Sequence, residues 1–162
     1  MRRFVLAAFA LTVLAACQPA SIELTDYQKA EIEDEVQLLH DQFWDAWRET
    51  SVDRGMSYYL NSPQFTGAVE GQLIHGFAAF DDLARSVFAN VARQSIRIDE
   101  SQTTVMAHDL VCVIEHITYT QTDTAGETGP EYTSAITLAW ALRDGEWKVY
   151  HFHSSSPTPE NP

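Results

Sequence analysis

The chain has little positive charge. Its 162 residues include 10 Lys and Arg residues and 23 Asp and Glu residues, which gives a formal net charge of −13. Nucleic acids and anionic lipid headgroups attract basic proteins, so we expect no nucleic-acid partner and no electrostatic attachment to a membrane. The acidic residues are dispersed along the chain instead of forming a tail, which is typical of a soluble protein surface.

The sequence also lacks the common catalytic and cofactor motifs. It contains no glycine-rich phosphate loop, no Ser-His-Asp arrangement and no paired-carboxylate motif. The serine run at residues 154–156 precedes Pro157 and is typical of a turn, not of a nucleophile elbow. We therefore expect no cofactor, and the residues favour a binding domain over an enzyme, with the enzyme left as an alternative.

Only one long apolar run is present, and it lies near the N-terminus. Arg2 and Arg3 precede an apolar stretch over residues 4–14, which is too short for a permanent membrane span. The stretch ends in Leu14-Ala15-Ala16-Cys17, which resembles the lipobox of bacterial lipoproteins. The resemblance implies a signal peptide over residues 1–16, cleavage before Cys17, and acylation of that cysteine with fatty acids such as palmitate. A plain signal peptide is the alternative.

The same resemblance predicts where the protein is held. Several acyl chains on one residue form a stable anchor, and residues 17–24 would provide the lipidated cysteine and a short tether. Gln18 follows the lipidated position, and in Gram-negative lipoproteins a residue other than Asp there indicates the outer membrane. We expect a lipid-anchored envelope protein that faces the periplasm. Cys112 would then be the remaining thiol, without a disulfide partner, and its apolar neighbours predict a buried, inert side chain.

The mature region, of about 145 residues, suits a single domain that begins with helices. Thr25 and Gln28 match a capping box, and Ser51 is expected to cap a second short helix that ends near Leu60. Gly76 would open a third helix. The first helix is expected to run to about Glu49, because its apolar residues recur at helical spacing: Ile32, Val36, Leu39, Phe43 and Trp47.

The rest of the chain predicts strands. Short strands at residues 64–69 and 72–75 would pair about Glu70-Gly71, and longer ones are expected at 95–106 and 109–122. Asp144-Gly145 joins two alternating runs and predicts a hairpin. The alternation places two groups of side chains on common faces: Ile136, Leu138, Trp140 and Leu142 in the first run, and Trp147, Val149, His151 and His153 in the second.

Helices followed by long antiparallel strands predict an α+β fold, with helices packed on one face of a sheet and a pocket between them. Residues 144–155 resemble the last strand of SnoaL-like members of the nuclear transport factor 2-like superfamily. They are closer still to the association domain of calcium/calmodulin-dependent protein kinase II. The resemblance extends through Ile117-Thr118 and Val69-Glu70-Gly71 and covers residues 25–157, followed by a loose tail at 158–162. It implies a cone-shaped fold in which a curved antiparallel sheet packs on a long N-terminal helix and two further helices.

The superfamily includes isomerases, cyclases, dehydratases, ligand carriers and oligomerisation modules, so the fold does not decide the function. Arginines in the pocket of the kinase association domains correspond to His116 and to a position near Leu138 here. The resemblance therefore does not imply the same binding of a small carboxylate.

The candidate ligand-binding residues are three histidines and three aromatic residues: His116, His151, His153, Trp140, Trp44 and Tyr58. Converging imidazoles could bind zinc, but no carboxylate or second cysteine at ligand spacing supports them, and we expect no metal. The histidines could instead be structural, and the aromatic residues could be core. Glu115 is expected to point away from the pocket, which leaves Asp45 and Asp53 as weak candidates for a general base.

Three functions fit these residues. The leading one is a domain that binds a small hydrophobic or aromatic molecule or associates with itself, as a homodimer or higher oligomer. The alternative is an acid–base isomerase or dehydratase that uses His116 or His151. A pure oligomerisation module is the third, and it predicts an exposed apolar sheet face at Val113, Ile117 and Tyr119.

Overall fold

The computed structural model describes residues 23–157, in which helices and strands form one α+β unit, as predicted. The helices are α1 (Asp26–Arg48), α2 (Val52–Met56) and α3 (Phe77–Phe88). The strands are β1 (Thr66–Val69), β2 (Gln72–His75), β3 (Val91–Ala107), β4 (Leu110–Asp123), β5 (Tyr132–Arg143) and β6 (Glu146–Ser155). The signal peptide, most of the tether and the tail at 158–162 lie outside the described residues.

The strands form one sheet in the order β2-β1-β6-β5-β4-β3. β1 pairs with β6 in parallel, and the other neighbouring strands are antiparallel. α1 and α3 lie on the inner face of this sheet, where the apolar core is concentrated. None of the helices within residues 23–157 is long and apolar enough to cross a membrane.

α1 begins at the predicted capping box. The backbone N–H of Gln28 donates to Oγ1 of Thr25 at 3.3 Å, and the backbone N–H of Thr25 donates to Oε1 of Gln28 at 3.0 Å. These bonds satisfy donors that a helix N-terminus leaves without partners, so the helix starts at Asp26. Its buried side chains recur at helical spacing on one face: Val36, His40, Phe43, Trp44, Ala46 and Trp47.

α2 is shorter than the sequence predicted, because the chain after it joins the sheet. The helix covers Val52–Met56, and Ser51 makes no side-chain cap bond. The N–H of Leu60 donates to the carbonyl of Val149 at 2.9 Å, and the N–H of Val149 donates to the carbonyl of Tyr58 at 2.9 Å. Backbone groups used in this pairing are not available to continue a helix.

Both predicted hairpins are present, and each turns through two residues with positive φ. Glu70 and Gly71 have φ values of 48° and 80° between β1 and β2. Asp144 and Gly145 have φ values of 53° and 83° between β5 and β6. Two consecutive left-handed residues are typical of a type I′ turn, whose twist matches that of the paired strands.

A bulge in β6 reverses the predicted direction of its histidines. Tyr150 is an extra residue in this strand, because Val149 and His151 pair with adjacent residues of β5. An extra residue exchanges the inward and outward positions along the rest of the strand. The prediction that His151 and His153 share the face of Trp147 and Val149 is therefore wrong.

The faces of β4 are also the reverse of those predicted. Glu115 is 2% exposed and points to the inner face, whereas His116 is exposed on the outer face. This strand carries apolar and β-branched side chains on both faces, so its alternation does not identify the inner one. The predictions that His116 faces a pocket and that Glu115 points away from it are wrong.

The apolar outer face predicted for an oligomerisation module is not formed by the residues expected. Val113 and Ile117 are 1% and 4% exposed and belong to the core. Tyr119 is half-buried and points to the same inner side. Val113 and Ile117 are therefore covered within one copy of the chain, and Tyr119 is covered in part.

Candidate functional site

A cavity of about 320 Å³ lies between the inner face of the sheet, α1 and α3. This volume is near the lower end of the range for small-molecule sites, roughly 300–1,000 Å³. Val87 lines the cavity and is 53% exposed, so the cavity opens to solvent beside α3. Its size suits a compact ligand.

Most of the cavity wall is apolar, and much of it is aromatic. Eight of the twenty lining residues are aromatic: Phe43, Trp44, Trp47, Tyr59, Phe80, Phe88, Tyr119 and Phe152. Seven more are aliphatic: Val69, Leu83, Ala84, Val87, Ile96, Ile117 and Ile136. The bulge at Tyr150 is what turns Phe152 inward, because that residue occupies a position which regular alternation would direct outward.

The remaining lining residues are polar and gather towards one end of the strands. Gln121 lies beyond Ile117 in the inward row of β4, and its Nε2 donates to Oε1 of Gln94 at 2.9 Å. Oγ of Ser134 donates to the carbonyl of Ser155 at 3.1 Å. Glu70 and Ser154 complete this polar end. The cavity therefore has apolar walls and one hydrogen-bonding end.

Glu70 is the charged member of this polar end. Its carboxylate accepts two hydrogen bonds from Ser156, one from the backbone N–H at 3.2 Å and one from Oγ at 3.0 Å. Burial, followed by the negative charge of Glu70, raises the pKa of Tyr119 above the ordinary value of a phenol. Burial also raises the pKa of Tyr59. Both phenols keep their protons at neutral pH and can donate hydrogen bonds.

A buried polar network lies next to the cavity. Nε1–H of Trp44 donates to Oε2 of Glu115 at 2.9 Å, and Oγ of Ser101 donates to Oε1 at 3.1 Å. Nε2 of His40 lies 2.8 Å from the same Oε1. Trp44 also lines the cavity, so its ring separates this network from any ligand there. Neither His40 nor Glu115 lines the cavity.

One atom of this network has no partner within the described residues. Nδ1 of His40 is buried and makes no hydrogen bond there. Nε1 of Trp44 lies 2.9 Å from Oε2 of Glu115 and 3.1 Å from Nε2 of His40, so its single N–H faces both groups. An ionised carboxylate can only accept hydrogen bonds, so a proton on Nε2 of His40 satisfies its 2.8 Å contact with Glu115. The sequence analysis missed this pair, although His40 lies four residues after Val36 on the apolar stripe of α1, a spacing that could have revealed it.

The structure places only one of the six predicted ligand-binding residues in the cavity wall, and that residue is Trp44. Trp140 is completely buried, with its Nε1 unpartnered within the described residues. Tyr58 is half-buried and packs edge-on against Phe43, with ring centroids 6.0 Å apart. Both belong to the packing behind the cavity.

The three predicted histidines share the outer face of the sheet, away from the cavity. Nδ1 of His116 lies 3.4 Å from Oδ2 of Asp99, and Nδ1 of His151 lies 2.9 Å from Oγ1 of Thr66. His153 is half-buried next to Thr137 and Ala68 in the strand register. Their predicted convergence in the pocket is wrong, because the faces of β4 are the reverse of those predicted and the bulge at Tyr150 turns the histidines of β6 outward.

Asp99, the residue that His116 contacts, has a lowered pKa because Thr118 and Arg97 donate hydrogen bonds to its carboxylate. Asp45 and Asp53 are paired with Arg48 and Arg85 at 2.9 and 2.8 Å, on the surface. Across residues 23–157, no group of three or more His, Cys, Asp or Glu side chains is arranged to hold a metal ion.

Cys112 is half-buried on the outer face, whereas the sequence predicts a buried thiol. Partial burial raises its pKa and so disfavours the reactive thiolate, as expected for an inert thiol.

Solved structures of other proteins share this fold. A nuclear transport factor 2-like superfamily protein from Salmonella enterica serovar Typhimurium has a TM-score of 0.70 and 13% identity, over 82% of this chain and 95% of its own. A protein from Xanthomonas campestris described as a calcium/calmodulin-dependent protein kinase II association domain has a TM-score of 0.65 and 19% identity, over 78% and 88%. A type 2 hexachlorocyclohexane dehydrochlorinase (LinA) has a TM-score of 0.67 and 15% identity, over 83% and 90%.

At these identities the likeness shows the fold alone, and it confirms the cone-shaped architecture predicted from the sequence. A search of curated protein sequences found no match to this chain. The family model of the SnoaL-like domain matches residues 36–159. Because this match covers far more than half of the sequence, the chain belongs to the SnoaL-like domain family, within the nuclear transport factor 2-like superfamily.

Proposed function

We propose that this protein is anchored by lipid in the bacterial cell envelope and that its SnoaL-like domain binds a small apolar or aromatic molecule. The observation that carries the proposal is the cavity of about 320 Å³ with aromatic walls and one polar end. Apolar surface that leaves water contributes roughly 25 cal/mol per Å², so such walls favour an apolar ligand. The polar end would orient it.

The anchor and the location rest on the sequence. Arg2, Arg3, the apolar run and the lipobox-like residues before Cys17 support lipidation, and Gln18 supports the outer membrane. The short tether would hold the domain close to the periplasmic side of that membrane, where apolar molecules partition. An apolar cavity near a lipid surface is consistent with a carrier or sensor of such molecules.

A neutral fluorescent probe tests the binding proposal. The mature chain, secreted from Gln18 behind a cleavable leader without a lipobox, would be titrated with N-phenylnaphthylamine. We expect saturable fluorescence enhancement at one site per chain. Energy transfer from the tryptophans would show that the probe binds within the domain, where Trp44 and Trp47 are the two indoles that line the cavity. A linear, non-saturating signal would contradict the proposal.

Acid–base catalysis is the second candidate, and the buried pair His40 and Glu115 is the observation that favours it. A general base must lie within hydrogen-bonding reach of the proton it removes, and Trp44 stands between this pair and the cavity. Catalysis therefore requires the indole to move aside. Deuterium incorporation from D2O into bound ketones, lost in Glu115→Gln, would support catalysis. Absence of exchange would leave the binding function.

Self-association is proposed as an accompanying property. One relative of the same fold is described as an association domain, and Ile114 is an exposed apolar residue on the outer face here. Native mass spectrometry of the mature chain at micromolar concentration would show dimers or higher oligomers. A strictly monomeric species would exclude this property without affecting ligand binding.

A further inference from the structure

Glu70 gives the cavity a negative charge that no basic side chain offsets in the described part of the chain. It is the single charged residue in the cavity wall there, and no Lys or Arg lines that wall. The ion pairs found within residues 23–157 join other carboxylates, and none includes Glu70. The protein as a whole is also acidic, with a formal net charge of −13.

Glu70 is an exposed residue, and its carboxylate is held at the polar end of the cavity with the capacity to bind a ligand. The backbone N–H of Glu70 donates to the carbonyl of Ser154 at 3.0 Å, which fixes the turn at the end of β1. Ser156 donates one hydrogen bond to each carboxylate oxygen. Each oxygen can accept a second one, so the group remains available to an ammonium or hydroxyl group in the cavity.

The phenol of Tyr119 lies in the cavity wall together with Glu70. The pKa of Tyr119 is raised first by burial and then by the negative charge of Glu70. The rings of Tyr119 and Tyr132 stack with centroids 5.6 Å apart, which keeps this phenol beside the polar end. Tyr119 and Glu70 both line the cavity, so the phenol and the carboxylate can contact the same ligand.

Aromatic walls add a second preference for positive charge. The faces of Trp, Tyr and Phe rings carry negative potential and attract a cation within about 6 Å of the ring centre. Trp44, Trp47 and Phe152 line the cavity together with five other aromatic residues. Burial of these rings limits screening by water, which strengthens such attraction.

An anionic ligand would meet the opposite conditions. Its charge would lie close to Glu70, with no Lys or Arg in the described wall to neutralise it. Glu70 would repel such a carboxylate, and the hydroxyl and amide groups of the polar end carry no positive charge to offset that repulsion. A fatty-acid headgroup is therefore disfavoured in this cavity.

We propose that the ligand is a small organic cation, in which an ammonium group on an apolar or aromatic body lies between Glu70 and the aromatic wall. This inference rests on the proposed function that the cavity binds a small apolar molecule, and it names the class of that molecule. The body would fill the region near Ile117 and Ile136, and the ammonium group would occupy the polar end.

Three compounds that differ only in their head group test the inference. They are phenylbutyl-trimethylammonium, its neutral isostere with a tert-butyl head, and the corresponding carboxylate. Each would be titrated against N-phenylnaphthylamine bound to the mature chain. We expect the ammonium compound to displace the probe at about tenfold lower concentration than the isostere, and the carboxylate to be the weakest.

Two variants assign the preference to Glu70. Glu70→Gln keeps an acceptor for Ser156 but removes the charge. It should reduce the preference for the ammonium compound over its neutral isostere to about threefold or less. Glu127→Gln removes an exposed carboxylate that does not line the cavity, and it should leave the preference unchanged. If Glu70→Gln does not fold, the wild-type preference measured at rising salt replaces it, because screening should reduce the preference.

The outcomes separate the inference from the proposed function. Equal displacement by the ammonium compound and the isostere, or strongest displacement by the carboxylate, overturns the inference and leaves a cavity that binds apolar molecules. A preference that survives both Glu70→Gln and high salt also overturns it. Failure of the probe and of all three compounds to bind overturns the proposed function itself.

Discussion

Nε2 of His40 lies 2.8 Å from Oε1 of Glu115, and both side chains are 1% exposed. The two residues are 75 positions apart in the sequence, so this contact joins the middle of α1 to the middle of β4. Trp44 bonds to the same carboxylate and forms part of the cavity wall. The pair therefore positions an aromatic wall residue as well as the helix.

Removal of one member of this pair should strongly destabilise the protein. Glu115→Ala would leave His40 and the Trp44 indole without their buried acceptor, and loss of one partner of a buried pair costs about 3–5 kcal/mol. Urea denaturation followed by tryptophan fluorescence would measure this loss of unfolding free energy. Glu33→Ala, which removes an exposed carboxylate from the same helix α1, should change the unfolding free energy by less than about 0.5 kcal/mol.

A double-mutant cycle separates the interaction from the cost of leaving one group unpaired. His40→Leu with Glu115→Leu removes both polar groups of the pair and should be less destabilising than the sum of the single changes. Additive losses would show that the two side chains act independently, contrary to the 2.8 Å contact.

The fold could be predicted from the sequence where local chemistry decides the structure. The capping box at Thr25 needs only Gln28 three residues later, and the turn at Asp144 needs only the glycine that follows it. Such signals depend on neighbours within a few residues, so they can be identified without knowledge of the tertiary structure.

The site could not be predicted in the same way, because it depends on which face of each strand is covered. One extra residue, Tyr150, reverses the direction of the histidines after it, and no local signal indicates the bulge. On β4, Ile114 and Ile117 lie on opposite faces, so hydrophobicity does not select the inner one. Trp44 was predicted to bind ligand and lines the cavity, and its binding role stays a prediction.

Gly55→Ala should destabilise the fold by about 1–3 kcal/mol, because no space exists for a methyl group there. A Cβ atom on Gly55 would lie 2.7 Å from Cε2 of Trp47. The indole would have to shift towards the cavity that it lines, so the fluorescence maximum should move as well. Gly129→Ala is the matched control, since its nearest contact would be 3.7 Å away, and a similar loss there would refute the steric explanation.

Cys17→Ser should abolish lipidation, because the serine oxygen does not replace the sulfur that carries the acyl chains. Cells grown with labelled palmitate would show label on the wild-type protein in the outer-membrane fraction. Cys112→Ser should retain the label, because this half-buried residue lies in β4 and outside the lipobox-like segment. Label that persists in Cys17→Ser, or that is lost in Cys112→Ser, would contradict the proposed anchor.

Ala84→Phe should abolish ligand binding by filling the cavity. Ala84 lies on α3, lines the cavity and is 8% exposed, so the added ring would occupy the space proposed for the ligand. We expect the affinity for N-phenylnaphthylamine to fall by about tenfold or more, since a site of this kind works by enclosing most of its ligand. The unfolding free energy should change little, because the new ring enters free space instead of displacing packed side chains.

Ala135→Phe places the same ring on the exposed outer face of β5 and should leave probe affinity unchanged. Equal losses in the two variants would show that the probe binds elsewhere, and the cavity between α1, α3 and the sheet would lose its assignment as the binding site.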